Sequence, residues 1–376
     1  MRLPRTQALV TAALADTGLE ITLGRELTSV IGVLRGVHGA RAPAVLLRAD
    51  MDALEVTEKT GESFAAPPGV MHACGHDLHA TALVGAAWLL SRHRSELAGD
   101  VVFMFQPGEE GHDGAAAMLA EGVLDTAGPR VSAAYGLHVF SSTLPRGVFA
   151  SRPGPLMAAS AGLFVTVRGV GGHASRPHLV ADPIVVAAEM VTALQTMVTR
   201  QFDVFDPVLV TVGMFSAGCR GNVIPDSATF QATLRAFRPA SMARLQERCV
   251  RLCTQIATAH GLTAEMSFGS EYPVTVNDAT HADFGLAVAA ELFGGDRTLL
   301  LPDPIMGSED FSRVLAEVPG AFVFLGACAG DDPETAPTNH SALARFDESV
   351  LPDASLLLAE LAKRRLDRLS PDCAPC

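Results

Sequence analysis

No apolar run in this 376-residue chain approaches the length of a membrane-spanning helix. The longest, such as Thr81–Leu90, has about ten residues, roughly half of what a bilayer requires. The mean hydropathy of +0.27 therefore reflects apolar residues spread along the chain. The opening Met1-Arg2-Leu3-Pro4-Arg5-Thr6 lacks the apolar core and small-residue cleavage site of a secretory leader, so a cytoplasmic protein without membrane contact is expected. Clustered basic charge is missing too. With 28 Lys and Arg against 41 Asp and Glu, a net charge of −13 and no basic run, the chain offers no surface for nucleic acid phosphates. Cysteine is sparse and odd in number: seven residues at 74, 219, 249, 253, 328, 373 and 376 do not make a disulfide scaffold. Cys249 and Cys253, four apart in a helical pattern, read as small buried residues rather than a metal pair. Cys373-Ala-Pro-Cys376 has redox spacing but lies in a proline-containing tail without strand-to-helix context, and reads as a frayed terminus. Internal repeats and low-complexity segments are also absent.

What is present is an ordinary globular composition, 48% apolar and 18% charged, on a chain long enough for two cores. Ala44–Leu47, Val101–Phe105 and Val131–Leu137 are short continuous apolar runs, the pattern of strands buried on both faces of a mainly parallel sheet. Leu78–His93 and Ala115–Glu121 between them have helical character. Strands alternating with helices predict an α/β domain whose ligands gather at the carboxyl ends of the strands. The middle of the chain differs. Ala161–Val170 alternates as a half-buried strand; Asp182-Pro183 opens a helix to about Arg200; strands Val208–Phe215 and Ala228–Phe237, a helix Ser241–His260 and a strand Thr263–Phe268 follow. That βαββαβ order predicts a ferredoxin-like unit inserted into the α/β domain, with residues 159–270 as the insert and 1–158 plus 271–376 as the host. Helices Ala279–Phe293 and Asp310–Val318 and strand Ala321–Leu325 belong to the resumed half.

Four stations carry chemistry. His72, Cys74, His76 and His79, with Asp77 among them, crowd eight residues, and thiolate and imidazole are good ligands for Zn and similar metals. Gly75 lets the backbone turn so that Cys74 and His76 face one point, but spacing alone assigns no role to any member of the cluster. Glu109 and Glu110 follow Gln106-Pro107-Gly108 just past a buried strand. A metal hydrolase needs one carboxylate on the metal and one to move the proton, and adjacent, diverging side chains suit one role each. His138 ends the strand Val131–Leu137 and His340 lies in the loop Pro337–Ser341; single histidines in such places are usually structural, and these two are candidates because other ligands need completing. Asp50 and Asp52 at another strand end can orient ligand imidazoles.

Together these motifs resemble the M20 metallopeptidases, in particular the amidohydrolase subgroup of hippurate hydrolases, N-acyl-amino-acid aminoacylases and auxin-conjugate hydrolases. The likeness runs from about Thr6 to about Glu348 and rests on Arg48–Leu54, His72–His79, Gln106–Glu110, Gly136–His138, Gly171–His178, Asn222–Pro225, Met306–Phe311 and Asn339-His340. The resemblance implies a dinuclear site of two divalent ions (Mn, Zn, Co or Ni) held by Cys74, His76, Glu110, His138 and His340. It implies Glu109 as general acid/base and Asp52 as a supporting acid, while His72, Asp77 and His79 fall to supporting roles. The insert becomes a lid that also forms a homodimer, with His173 and Asn222 reaching substrate from the partner subunit and Arg235 holding a substrate carboxylate. The expected substrate is a small N-acyl amino acid; a dipeptidase-like or conjugate-cleaving activity on the same site, a thiol amidase using Cys74 as nucleophile, and a metal-bearing binding protein are the alternatives. Three departures accompany the likeness: the chain starts after a helix usual in the family, His112 stands where glycine is commoner, and no proline follows His340 closely. His112 is expected at the surface.

Overall fold

The computed structural model describes residues 2–37 and 42–369 and divides them into two compact units, residues 2–156, 276–303 and 310–369 in one and 157–275 with 304–309 in the other. The first is built on an eight-stranded sheet in the order Glu20–Leu23, Val30–Leu34, Asp100–Gln106, Ala44–Asp50, Ala133–Phe140, Gly320–Gly326, Phe149–Ser151 and Thr298–Leu300. Ala44–Asp50 runs parallel to both its neighbours, and Ala133–Phe140 is parallel to Gly320–Gly326. The outer pairings Glu20–Leu23 with Val30–Leu34, and Val30–Leu34 with Asp100–Gln106, are antiparallel, so the sheet is mixed. Its interior strands are buried on both faces, which is why their sequences read as unbroken apolar runs. Helices His76–Arg92 and Leu351–Leu369 pack on each other and help close the core, the latter burying Leu357, Leu358, Leu361 and Leu366.

One boundary differs from expectation in a way that matters for the site. The strand expected to stop at Leu137 runs to Phe140, because Val139 and Phe140 continue to pair with Leu325 and Gly326. His138 is therefore held inside a strand, fixed by backbone pairing on its neighbours. The elements Pro4–Ala13, Glu20–Leu23, Val30–Leu34 and Leu351–Leu369 have no counterpart in the sequence reading.

The second unit has the element order βαββαβ. Its antiparallel sheet runs Val208–Ala217, Ser227–Ala236, Ala159–Arg168, Thr263–Tyr272, and helices Pro183–Gln201 and Pro239–Ala259 supply the rest of its core. Asp182 caps the first helix by accepting from the Ile184 N–H at 2.9 Å. Cys249 and Cys253 are both fully buried in this core, and burial pushes both thiols up to about 12. Cys373 and Cys376 lie outside the described residues.

Candidate metal centre

The parallel register sets Asp50 opposite Gln106, so the segments leaving these two strands run side by side. Asp52 then meets the turn Pro107-Gly108-Glu109-Glu110, accepting the Glu109 N–H at 3.1 Å on one carboxylate oxygen and the Glu110 N–H at 2.9 Å on the other. Gly108 turns the chain here with φ 78°. Both acids are thereby fixed by backbone, with Glu109 buried and the Glu110 side chain 18% exposed. Gly75, at φ 79°, turns Cys74 and His76 toward one another; a β-carbon there would lie 2.4 Å from the Val139 side chain. The third contributor is the loop carrying His340, which has φ 71° and whose N–H donates to the Ala73 carbonyl at 2.8 Å.

The result is a knot of ligand-type atoms. Cys74 Sγ lies 3.4 Å from His138 Nε2 and 3.3 Å from His340 Nε2, and His340 Nε2 is 3.1 Å from a Glu110 oxygen. Cys74, His76 and His138 form one group whose donor atoms fall within 4.8 Å of one another; Cys74, Glu110 and His340 form a second; His76, Glu109 and Glu110 form a third. Cys74 is common to the first two. His76 lies 3.4 Å from Asp52, 3.6 Å from Asp50 and 4.0 Å from Glu110, and although fully buried neither of its ring nitrogens makes a hydrogen bond of good geometry. A buried imidazole in that condition, among a sulfur and four carboxylates, fits a coordinating cation better than a folded core, where such nitrogens are paired.

The tautomers support the same arrangement. His138 Nδ1 meets the Val139 carbonyl at 2.9 Å and must donate to it, which leaves its Nε2 lone pair directed toward Cys74. His79 Nε2 accepts the Val139 N–H at 2.8 Å, so its proton sits on Nδ1, 2.6 Å from Asp50. Burial of Cys74 disfavours its thiolate, but the surrounding His138, His340 and His76 outweigh burial and hold its pKa well below the usual thiol range. Burial likewise opposes charge on His76, yet Asp50, Asp52 and Cys74 raise its pKa well above the ordinary value. Hydrogen bonds to Cys74 and Glu110 push His340 up to about 10. The anions of the cluster thus draw positive charge onto its histidines, a demand that divalent ions would meet while freeing the imidazole lone pairs.

Beneath the cluster lies a buried ionic network. Arg48 bonds to Gln106 at 2.9 Å, Asp50 at 2.8 Å and Asp310 at 3.0 Å, and Gln106 donates to both oxygens of Asp310 at 2.7 Å. His79 has the opposite balance to His76: burial lowers its pKa to about 4 against the raising effect of Asp50, so it stays neutral at neutral pH. The folded metal-free protein therefore resists a proton that the unfolded chain accepts below about pH 6.5. Stability is expected to fall as pH drops from about 6.5 toward about 4, by about 3 kcal/mol from this group. Urea unfolding of the metal-free protein across that range should show a smaller acid loss in His79→Gln; superimposable profiles would contradict the neutral assignment.

Other predicted residues are placed as follows. Asp77 and His112 are exposed, and His72 is half-buried with Nδ1 shielded and lacking a hydrogen bond. In the second unit, His173 and Asn222 are neighbours on a small ribbon that pairs Val223 with His173, the Ala174 N–H donating to the Asn222 carbonyl at 3.1 Å. His173 Nδ1 accepts the Ser175 N–H at 3.1 Å, so its Nε2 carries the proton and is a hydrogen-bond donor. Arg235 is half-buried near the far end of strand Ser227–Ala236, paired with Leu209 and Ser160. Sequence reasoning overlooked the Arg48–Gln106–Asp310 network and the clamp by Asn339 described below. The available signal was polar residues at the ends of otherwise apolar strands.

A mixed sheet flanked by helices that gathers thiolate, imidazoles and paired carboxylates near its strand ends has the make-up of a metal-dependent hydrolase. The profile of peptidase family M20/M25/M40 matches residues 46–364, and the chain belongs to that family. IAA-amino acid hydrolase ILR1-like 4 of Arabidopsis thaliana is 40% identical over 367 residues, covering 96% of this chain and 81% of that protein. N-acetyl-L-cysteine deacetylase of Bacillus subtilis is 36% identical over 364 residues, covering 96% and 83%. Among solved structures, the Bacillus subtilis YXEP protein, a dinuclear metal binding peptidase from the M20 family, superposes with a TM-score of 0.79 at 32% identity, covering 96% of this chain and 92% of that one. The chain is accordingly a metal-dependent amidohydrolase, and Cys74 as a metal-free thiol nucleophile loses its place. No helix among the described residues is long and apolar enough to cross a membrane.

Proposed function

We propose that this enzyme hydrolyses the amide bond of small N-acyl amino acids, using two divalent ions held by Cys74, His76, Glu110, His138 and His340. The observation that carries the reading is the overlap of the ligand groups: Cys74 belongs to two of them, and the buried, backbone-anchored Glu109 sits with His76 and Glu110 in a third. The names of the relatives, an IAA-amino acid hydrolase and an N-acetyl-L-cysteine deacetylase, support this substrate class. When bound, the ions supply Lewis acidity toward water and the acyl carbonyl. Thiolate and imidazole favour Zn, Co or Ni, and the carboxylates accept Mn as well.

The remaining work falls to side chains. Glu109 takes the proton of the attacking water and returns it to the departing amine: it is the more buried of the two acids, while Glu110 groups with Cys74, lies 3.1 Å from His340 and serves for binding. His173 Nε2–H is suited to the developing oxyanion and the Arg235 fork to the substrate carboxylate. These two lie toward opposite ends of their unit: the ribbon of His173 joins at Asp226, and Arg235 is nine residues further along the chain, about 30 Å at ~3.3 Å per residue. One copy does not bring both to a small substrate, which supports a homodimer in which His173 and Asn222 act on the partner's site. The setting is a cytoplasmic one.

A panel of acetyl, benzoyl and indole-acetyl amino acids, offered to metal-free protein reloaded with Mn, Zn, Co or Ni, tests the reading. Free amino acid should be released from at least one conjugate, and the same conjugate with its carboxylate amidated should be cleaved far more slowly. Failure to cleave any amide with any of the four metals would overturn it.

A further inference from the structure

His340 stands on a loop, Cys74 ahead of a helix and His138 in a strand, and a single side chain bridges all three. Asn339 Oδ1 accepts the Ser141 N–H at 2.9 Å and the Ser141 hydroxyl at 2.9 Å. Its Nδ2 donates to the Val139 carbonyl at 3.0 Å, reaches the Cys74 carbonyl at 3.5 Å and lies 3.8 Å from Cys74 Sγ. The amide orientation is fixed by its partners: a backbone N–H only donates and a carbonyl only accepts, so oxygen must face Ser141 and nitrogen must face Val139. That orientation points an uncharged N–H at the sulfur.

We propose that Asn339 is a positioning residue of the metal centre, setting the relative placement of Cys74, His138 and His340 and moderating the charge on Cys74 Sγ through an N–H···S contact. The inference rests on the ligand set proposed above. Once His340 turns its Nε2 lone pair to a metal it no longer donates toward the sulfur, whereas the Asn339 N–H stays beside it with or without the ion. Its second effect is mechanical. His340 sits in the left-handed backbone region, which costs energy for a residue with a side chain, and the neighbouring Asn339 clamp holds the loop there.

The test compares wild type, Asn339→Asp and Asn339→Ala as metal-free proteins titrated with Co2+, reading stoichiometry, affinity and the sulfur-to-cobalt charge-transfer band. Asn339→Asp keeps the size and one acceptor but turns an unprotonated oxygen toward the Val139 carbonyl and the sulfur. It should lower affinity for at least one ion by about 10–100-fold and shift the band, and Asn339→Ala should weaken binding less. Circular dichroism of each variant separates a lost fold from a lost ligand geometry, and the alanine variant decides the matter if the aspartate variant does not fold. If wild type binds Co2+ without the charge-transfer band, the ligand set itself is wrong. If the band is present in wild type and both folded variants keep its position and the wild-type affinities, Asn339 has no such role.

Discussion

Glu109→Gln should retain both metal ions yet lose about 10²–10⁴-fold in kcat, the range typical of removing a general acid/base. Glutamine preserves the size of the side chain, and the Glu109 backbone N–H still donates to Asp52, so the turn that carries Glu110 is undisturbed. What disappears is a group able to accept the proton of water and hand it on to the amine. Metal content by elemental analysis and turnover of the best N-acyl amino acid should therefore separate cleanly. A metal-loaded Glu109→Gln enzyme with wild-type turnover would remove Glu109 from the chemistry and leave Glu110 as the alternative proton carrier. Loss of metal in parallel with activity would instead make Glu109 a ligand.

Arg48→Met should be the most damaging substitution for stability. The guanidinium is fully buried against Asp50 and Asp310, both also fully buried, so its loss removes the cation they share and leaves Asp310 to the Gln106 amide and the Ala115 N–H, and Asp50 to His76 and His79. Removing one partner of a buried ion pair costs about 3–5 kcal/mol, because the remaining charge stays out of water with less to compensate it. The damage should also reach the metal centre, since Asp50 orients His79 and lies 3.6 Å from His76. Urea unfolding of the metal-free protein at neutral pH measures the first effect. Adding Asp310→Asn to Arg48→Met should recover part of the loss by removing one stranded charge. A cost below about 1 kcal/mol would mean that water reaches this network.

Much of this was legible in the sequence, for identifiable reasons. Strands Ala44–Asp50 and Asp100–Gln106 announce themselves because burial on both faces demands unbroken apolar residues. Strand Val30–Leu34 did not, because Gly32 interrupts its run; in the structure a β-carbon at that glycine would lie 2.6 Å from the Leu19 side chain, so the gap is filled from outside the strand. Helix Leu351–Leu369 is weakly marked although Ala354, Leu357, Leu358, Leu361 and Ala362 keep a helical period, since its interleaved charges dilute the apolar signal. At the site, the resemblance to the family implies Cys74, His76, Glu110, His138 and His340 as ligands, and the structure sets donor atoms of all five in overlapping groups. Their partners are different in kind. That His79 bridges Asp50 and Val139, or that Asn339 spans Ser141 and Cys74, depends on parallel register and loop closure over long separations in the chain. No local pattern encodes such contacts.

The central claim is that hydrolysis depends on two ions bound at the Cys74 cluster. It is met most directly by removing metal with a chelator, dialysing, and titrating one divalent metal back while following amide hydrolysis and bound metal together. The account predicts that activity vanishes on chelation and returns in step with binding that saturates at two ions per chain, and that Cys74→Ala neither binds the full complement nor recovers. Full activity in the chelated, metal-free protein would contradict it.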